Sequence, residues 1–196
     1  VATLPASTWE FVAGKFLACW MLLGLALLLT LPLPISIAMI GDLKFGRTVH
    51  SLSKLLSLFN NVHFTLISPT ELAMPDDILS RLDDAGHKVT VTDQLEGSVD
   101  ADICYQTRIQ EERFPSQEEA NKYRGKFRLN QSIYTKHFQS KTVIMHPLPR
   151  DSRADANELD NDLNQNPKLA IFRQADNGVL IRMALFALIL GVEKDV

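Results

Sequence analysis

Cysteine is nearly absent: the 196 residues hold two, Cys19 and Cys104, far apart and in different kinds of sequence. With no C-x-x-C pair, a disulfide scaffold is excluded and a reducing compartment is indicated, which makes the cytoplasm the expected location. An excess of one charge is missing too. The 20 basic and 23 acidic side chains leave a formal charge of -3, and Lys and Arg are scattered along the chain. There is no electrostatic footprint for nucleic acid. His50, His63, His87, His137 and His146 show no ligand spacing, so neither a metal nor a cofactor is expected. What is present is ordinary: 46% apolar and 22% charged residues exclude generic disorder and collagen and suit one large domain or two small ones.

Charge is also missing from one end. Residues 1 to 41 carry only Glu10 and Lys15, and Phe16 to Leu31 is almost wholly apolar (F-L-A-C-W-M-L-L-G-L-A-L-L-L-T-L). As a helix those residues span about 24 Å, short of a bilayer core unless 11 to 15 are added. A membrane anchor through 11 to 31, a helix buried in protein, a signal peptide and a wrongly joined reading frame all stay open, the signal peptide disfavoured by the lack of a small-x-small cleavage site. Pro32 and Pro34 end any helix there, because neither can donate a helical hydrogen bond and Pro34 forces the preceding residue to extend. The expected division is an apolar segment with a proline linker, 1 to 34, followed by one domain, 35 to 196.

From Ile35 onward strands alternate with helices. Ile35 to Ile40, Val62 to Ile67, Lys88 to Thr92, Ile103 to Thr107 and Thr142 to Met145 read as strands. Arg47 to Phe59 carries a stripe of Val49, Leu52, Leu55, Leu56 and Phe59, and Pro75 to Ala85 starts on proline and stops at Gly86. Polar helical stretches follow near Gln117 to Tyr123 and Gln131 to Phe138. The fold class is α/β: a Rossmann-like parallel sheet of about five strands with helices on both faces, preceded by an apolar N-terminal helix. The last helix, Val179 to Leu190, is apolar except for Arg182 and should be buried all round. Packing of that helix on residues 16 to 31 is the expected way to bury it.

Ligands of parallel sheets bind at the carboxyl ends of strands, so three loops are of interest. Gly41 to Thr48, G-D-L-K-F-G-R-T, is either a plain turn or an approach to the phosphate-cradling G-x-x-x-x-G-K-[ST]. Arg47 stands where that pattern has lysine, and a planar guanidinium is a fork for carboxylate or phosphate rather than a flexible point charge. That counts against a P-loop-like nucleotide site. Thr107-Arg108-Ile109-Gln110 adds a second guanidinium and an amide. In His146-Pro147-Leu148-Pro149-Arg150 the prolines hold an extended backbone and remove donors, leaving carbonyls free to accept. Two guanidiniums and a carbonyl-presenting loop suit a small dianion that carries an amine.

Taken in order and spacing, G-D-L-K-F-G-R-T-V-H-S-L, T-R-I-Q-E-E-R-F, H-P-L-P-R and F-R-Q-A-D-N-G-V-L-I-R-M-A-L resemble the aspartate-binding domain of the aspartate carbamoyltransferases, over about Ile35 to Glu193. Ornithine carbamoyltransferases typically have H-C-L-P at His146 to Pro149, so the resemblance favours aspartate. It implies transfer of the carbamoyl group of carbamoyl phosphate to L-aspartate, the committed pyrimidine step. By the same resemblance, Arg47 would hold the α-carboxylate, Arg108 and Gln110 the side-chain carboxylate, and the carbonyls of Pro147 and Leu148 would orient the carbamoyl and amino groups. Lys44, Arg113 and Glu118 match positions that support domain closure. The family's S-T-R-T-R phosphate loop, carbonyl-polarising histidine and lysine loop do not occur in the 196 residues. The chain by itself is therefore expected to be inactive and not to form the family's homotrimer. The alternatives kept open are an ornithine-type carbamoyltransferase domain, a P-loop-like nucleotide-binding domain and a membrane-anchored binding module.

Overall fold

The computed structural model describes residues 35–95, 99–151, 153 and 155–191. The expectations for the apolar segment, its helix at 16 to 31 and the packing of that helix lie outside the described residues.

Five short strands form the sheet: β1 (Ser36–Ile40), β2 (His63–Ile67), β3 (Lys88–Thr92), β4 (Ile103–Gln106) and β5 (Val143–Met145). Every pairing is parallel, in the order β3-β2-β1-β4-β5. Strand β1 is central, and its S-I-A-M-I reads as a continuous apolar run because both faces are covered. Ile37 and Met39 look to one side, with Phe64 and Leu66 of β2, while Ala38 and Ile40 look to the other, with Cys104 and Ile144. Fully burying an aliphatic side chain of this size is worth about 1.5–3 kcal/mol. The edge strand β3 keeps Lys88, Thr90 and Val91 exposed, with the charge and polarity that discourage edge pairing.

Helices cover both faces. On the first, α1 (Arg47–Leu56) and α2 (Asp76–Asp84) press Val49, Ile78 and Leu82 onto the sheet. Pro75 stands at the N-cap of α2, followed by Asp76 and Asp77, whose charges suit the helix dipole. The stripe expected on α1 is only half correct: Leu52 and Leu56 pack against the core, but Leu55 and Phe59 are exposed. The helix ends at Leu56, so Phe59 falls in the following turn and Leu55 on the outer side.

Two short helices, α3 (Gln117–Asn121) and α4 (Gln131–His137), begin on Ser116 and Asn130, whose side chains accept N–H groups of the first turn, and α4 packs on the second face. Tyr134 and Phe138 stack at 6.1 Å and join Leu129, Leu159 and Leu163 in the core. The last helix, α5 (Ile171–Leu190), starts eight residues before the expected Val179 and ends at Gly191 in the left-handed conformation. Its polar first half hid it from a reading based on apolar periodicity. Ile171 is its one buried residue, whereas Val179 to Leu190 expose large apolar side chains, Ile189 at 77%. The expected burial all round is thus not met among the described residues. None of their helices is long and apolar enough to cross a membrane.

Candidate functional site

The strand order reverses at β1 and β4, which are neighbours although 60-odd residues separate them. The crevice outside their carboxyl ends is where a sheet of this kind takes a ligand. Gly41 leaves β1 with φ 115°, and a Cβ there would lie 2.3 Å from the Thr107 carbonyl oxygen. The Thr107 amide in turn donates to the Ile40 carbonyl at 2.8 Å. At Gly46 a Cβ would meet the Asp42 carbonyl oxygen at 2.5 Å. Both glycines therefore allow this loop to fold onto protein backbone, which accounts for them without a phosphate.

Asp42 ties two of the three loops together. Its carboxylate, fully buried, accepts from the Phe45 amide at 2.9 Å and the Gln110 amide at 3.2 Å. Burial pushes its pKa up, against the opposing pull of these amides and of His50. The His50 ring Nε2 lies 2.8 Å from the Leu43 carbonyl oxygen and holds the same turn. Arg47 follows as the first residue of α1, exposed, and its guanidinium makes no hydrogen bond or ion pair among the described residues.

After β4, Arg108 reaches its carboxylate partner at once: its two terminal nitrogens bond Glu112 at 2.5 and 3.2 Å, and one of them also reaches the Ile109 carbonyl at 3.4 Å. Glu112 raises the pKa of the guanidinium, and Arg108 lowers that of Glu112. Gln110 lies beside it, its backbone held by Asp42.

After β5, His146 is buried and sits in a fixed sense. Its Nδ1 accepts the Leu148 amide at 2.9 Å, and its Nε2 lies 2.7 Å from buried Glu158 Oε1. The His146 amide donates to Gln174 of α5 at 3.1 Å. Leu148 has a φ of 54°, unusual for a residue with a side chain, and is joined to Pro149 by a cis peptide. Burial raises the pKa of the Tyr105 hydroxyl, which Thr48 and Gln174 oppose, so the end of β4 lies near the residue after Arg47 and near α5.

Of the residues expected to support closure, Lys44 lies 5.4 Å over the Phe45 ring. Phe45 meets Phe114 at 5.7 Å and Phe114 meets Tyr123 at 5.6 Å, an aromatic row between the first loop and α3. Arg113 and Glu118 are exposed, and no ion pair joins Lys44, Arg113 and Glu118 among the described residues. Nor does any group of three or more His, Cys, Asp and Glu there have the arrangement to hold a metal ion. Asp42, Tyr105, Glu158 and Gln174 escaped the sequence reading. Asp42 left one signal, a carboxylate directly after a buried strand. Glu158, twelve residues past His146, left none.

Residues 34–189 match the family model described as aspartate/ornithine carbamoyltransferase, Asp/Orn binding domain. The chain belongs to this carbamoyltransferase family. Among curated relatives, the aspartate carbamoyltransferase catalytic subunit of Cellvibrio japonicus is 73% identical over 161 residues, 82% of this chain and 48% of that one. The M. jannaschii aspartate transcarbamoylase catalytic subunit shares its fold at TM-score 0.67 and 36% identity, over 83% of this chain and 50% of that one. The Trypanosoma cruzi aspartate transcarbamoylase in complex with carbamoyl phosphate and aspartate gives 0.68 and 35%, over 78% and 49%. The chain spans about half the length of the curated relatives it matches. The carbamoyltransferase resemblance read from the four sequence stretches is thereby shown, as is the parallel α/β fold.

Proposed function

We propose that this domain holds L-aspartate for carbamoyl transfer from carbamoyl phosphate. The observation that carries the reading is the pair of guanidiniums at the ends of adjacent strands, with Asp42 tying the loop of Arg47 to the loop of Arg108 and Gln110. In this reading Arg47 takes the α-carboxylate, and Arg108 with Gln110 takes the side-chain carboxylate. Bidentate guanidinium to carboxylate contacts set orientation as well as strength. The Pro147 and Leu148 carbonyls accept from the amine and the carbamoyl group, and their loop is kept in place by His146 and Glu158. Lys44, Arg113 and Glu118 take part in closing the site. The relatives named for aspartate carbamoyl transfer, one with both substrates bound, support aspartate over ornithine.

Transfer of this kind requires two reactants positioned together and stabilisation of the developing tetrahedral charge. The 196 residues contain no S-T-R-T-R phosphate loop. Taken alone, they are expected to bind aspartate weakly, near millimolar, and to form no carbamoyl-aspartate. Calorimetry with L-aspartate on the chain and on Arg108→Ala tests the site, the reading being wrong if both bind equally. Measurable turnover at saturating substrates would refute inactivity of the chain alone.

A further inference from the structure

The loops after β4 and β5 meet through a charge cluster that the aspartate reading leaves unused. Glu111 directly follows Gln110. Its carboxylate takes both prongs of two guanidinium forks, Arg124 at 2.7 and 2.9 Å and Arg153 at 3.2 and 2.9 Å. Gln117 Nε2 adds a third donor at 2.9 Å. Arg153 also grips the Asp151 carboxylate, at 2.5 to 3.2 Å, and Arg124 reaches Asp155 at 3.2 Å. The Asp151 amide in turn donates to Glu158, the partner of His146. An isolated surface ion pair contributes little, but Glu111 is not isolated: its side chain is 13% exposed and accepts five hydrogen bonds.

The strands fix the roots of the two loops, up to Thr107 and Met145. Among the described residues, no backbone hydrogen bond joins 107–113 to 146–153. Among the described residues, the Glu111–Arg153 pair is the hydrogen-bonded side-chain tie between them. Aspartate imposes a spacing on these loops, because its amine and side-chain carboxylate sit on one short carbon skeleton. Receiving groups must be held to within about 0.5 Å to meet both at once. We propose that Glu111, clasped by Arg124 and Arg153, is a positioning residue that sets the distance between Arg108 with Gln110 and the Pro147 and Leu148 carbonyls. This rests on the aspartate reading above. It also separates two tasks: Asp42 registers Arg47 against Gln110, so holding the two carboxylates does not need Glu111, whereas meeting the amine does.

Succinate has both carboxylates and no amine, so it divides the two tasks. Calorimetry with L-aspartate and with succinate is run on the chain, on Glu111→Ala, on Arg153→Ala and on the double variant. The expected result is a loss of about tenfold in aspartate affinity for each single variant, with succinate within about twofold. The double variant should be no worse than either single one, since both remove the same tie. Equal losses for the two ligands would overturn the proposal and leave Glu111 a merely structural residue, and an unchanged aspartate affinity would overturn it as well. If the unaltered chain binds neither dianion, the aspartate reading itself fails and takes this inference with it. Should Glu111→Ala not fold by circular dichroism, Arg153→Ala decides, because its side chain is 46% exposed and its loss leaves Glu111 paired to Arg124.

Discussion

Arg47 and Arg108 stand at the carboxyl ends of neighbouring strands and are held in opposite ways. Arg47 is placed by backbone alone: a glycine-locked turn leads into α1, and the guanidinium at its first position has no partner among the described residues. Arg108 lies on an irregular segment, and its fork is closed on Glu112 four residues later. A helix start is rigid enough to present a free guanidinium, while a loop position borrows rigidity from a carboxylate. The difference has a chemical side as well: a dianion meets Arg47 unopposed but has to share Arg108 with Glu112.

Four changes break or sharpen this contrast, in descending order of effect. Gly41→Ala should destabilise the domain by roughly 3–5 kcal/mol, read from urea unfolding, because the added Cβ meets backbone oxygen at a φ of 115°. A loss under 1 kcal/mol would show that the turn can move and that Arg47 is not set by backbone. Arg47→Ala should cost about 2–3 kcal/mol of aspartate binding by calorimetry while the melting temperature stays within about a degree, since the side chain holds nothing else. A melting temperature lowered by several degrees would contradict its unpaired state.

Asp42→Asn is a subtler break, weakening aspartate by about 1–2 kcal/mol while changing stability little. Burial raises the folded pKa of Asp42 above its unfolded 3.8. The ionised form thus costs stability at neutral pH, a cost that vanishes as pH falls below the unfolded value. The amide removes that cost but turns its NH2 toward one of the two donors and loses a bond. Stability lowered by more than about 2 kcal/mol would mean that the loops, and not just their registration, depend on the charge.

Glu112→Gln is the smallest. Arg108 lowers the folded pKa of Glu112 below its unfolded 4.5, so the pair stabilises above that pH and the gain is lost as pH falls through the folded value. Half exposure of Glu112 limits the gain to about 0.5 kcal/mol. Thermal melts between pH 5 and about pH 2 should show a slightly flatter acid limb in the variant. A tighter grip on succinate in that variant would show Glu112 to be a competitor rather than a support.

Much of this could be read from the chain before any coordinates. Apolar runs of four to six residues set off by Gly, Pro and polar turns located all five strands within two residues. Where the reading slipped, a longer-range cause is visible. Leu55 obeys helical spacing on α1 yet faces outward, and the polar I-F-R-Q-A-D-N-G half of α5 has no stripe to betray it. The residues proposed to touch substrate lie on loops at strand ends or, for Arg47, at the helix start that follows one, where guanidiniums and prolines have few purely structural uses. Their supports were illegible: Glu158 and Gln174 are ordinary polar residues in polar stretches, and only buried His146 gives them a task, its imidazole facing Glu158 and its backbone amide donating to Gln174.

By itself, then, the order of residues determined what depends on near neighbours: strand and helix alternation, the glycine turn, the start of α2, and which loops carry cations and free carbonyls. Tertiary structure decided what depends on strand order. Because β4 lies against β1 rather than β3, Asp42 meets an amide 68 residues away, and because β5 lies against β4, Glu111 meets Arg153 across 42. Periodicity encodes which face of an element is apolar, and the same faces would suit other strand orders. The order adopted is settled by how the whole core closes, and the hydrogen bonds that register the loops follow from it.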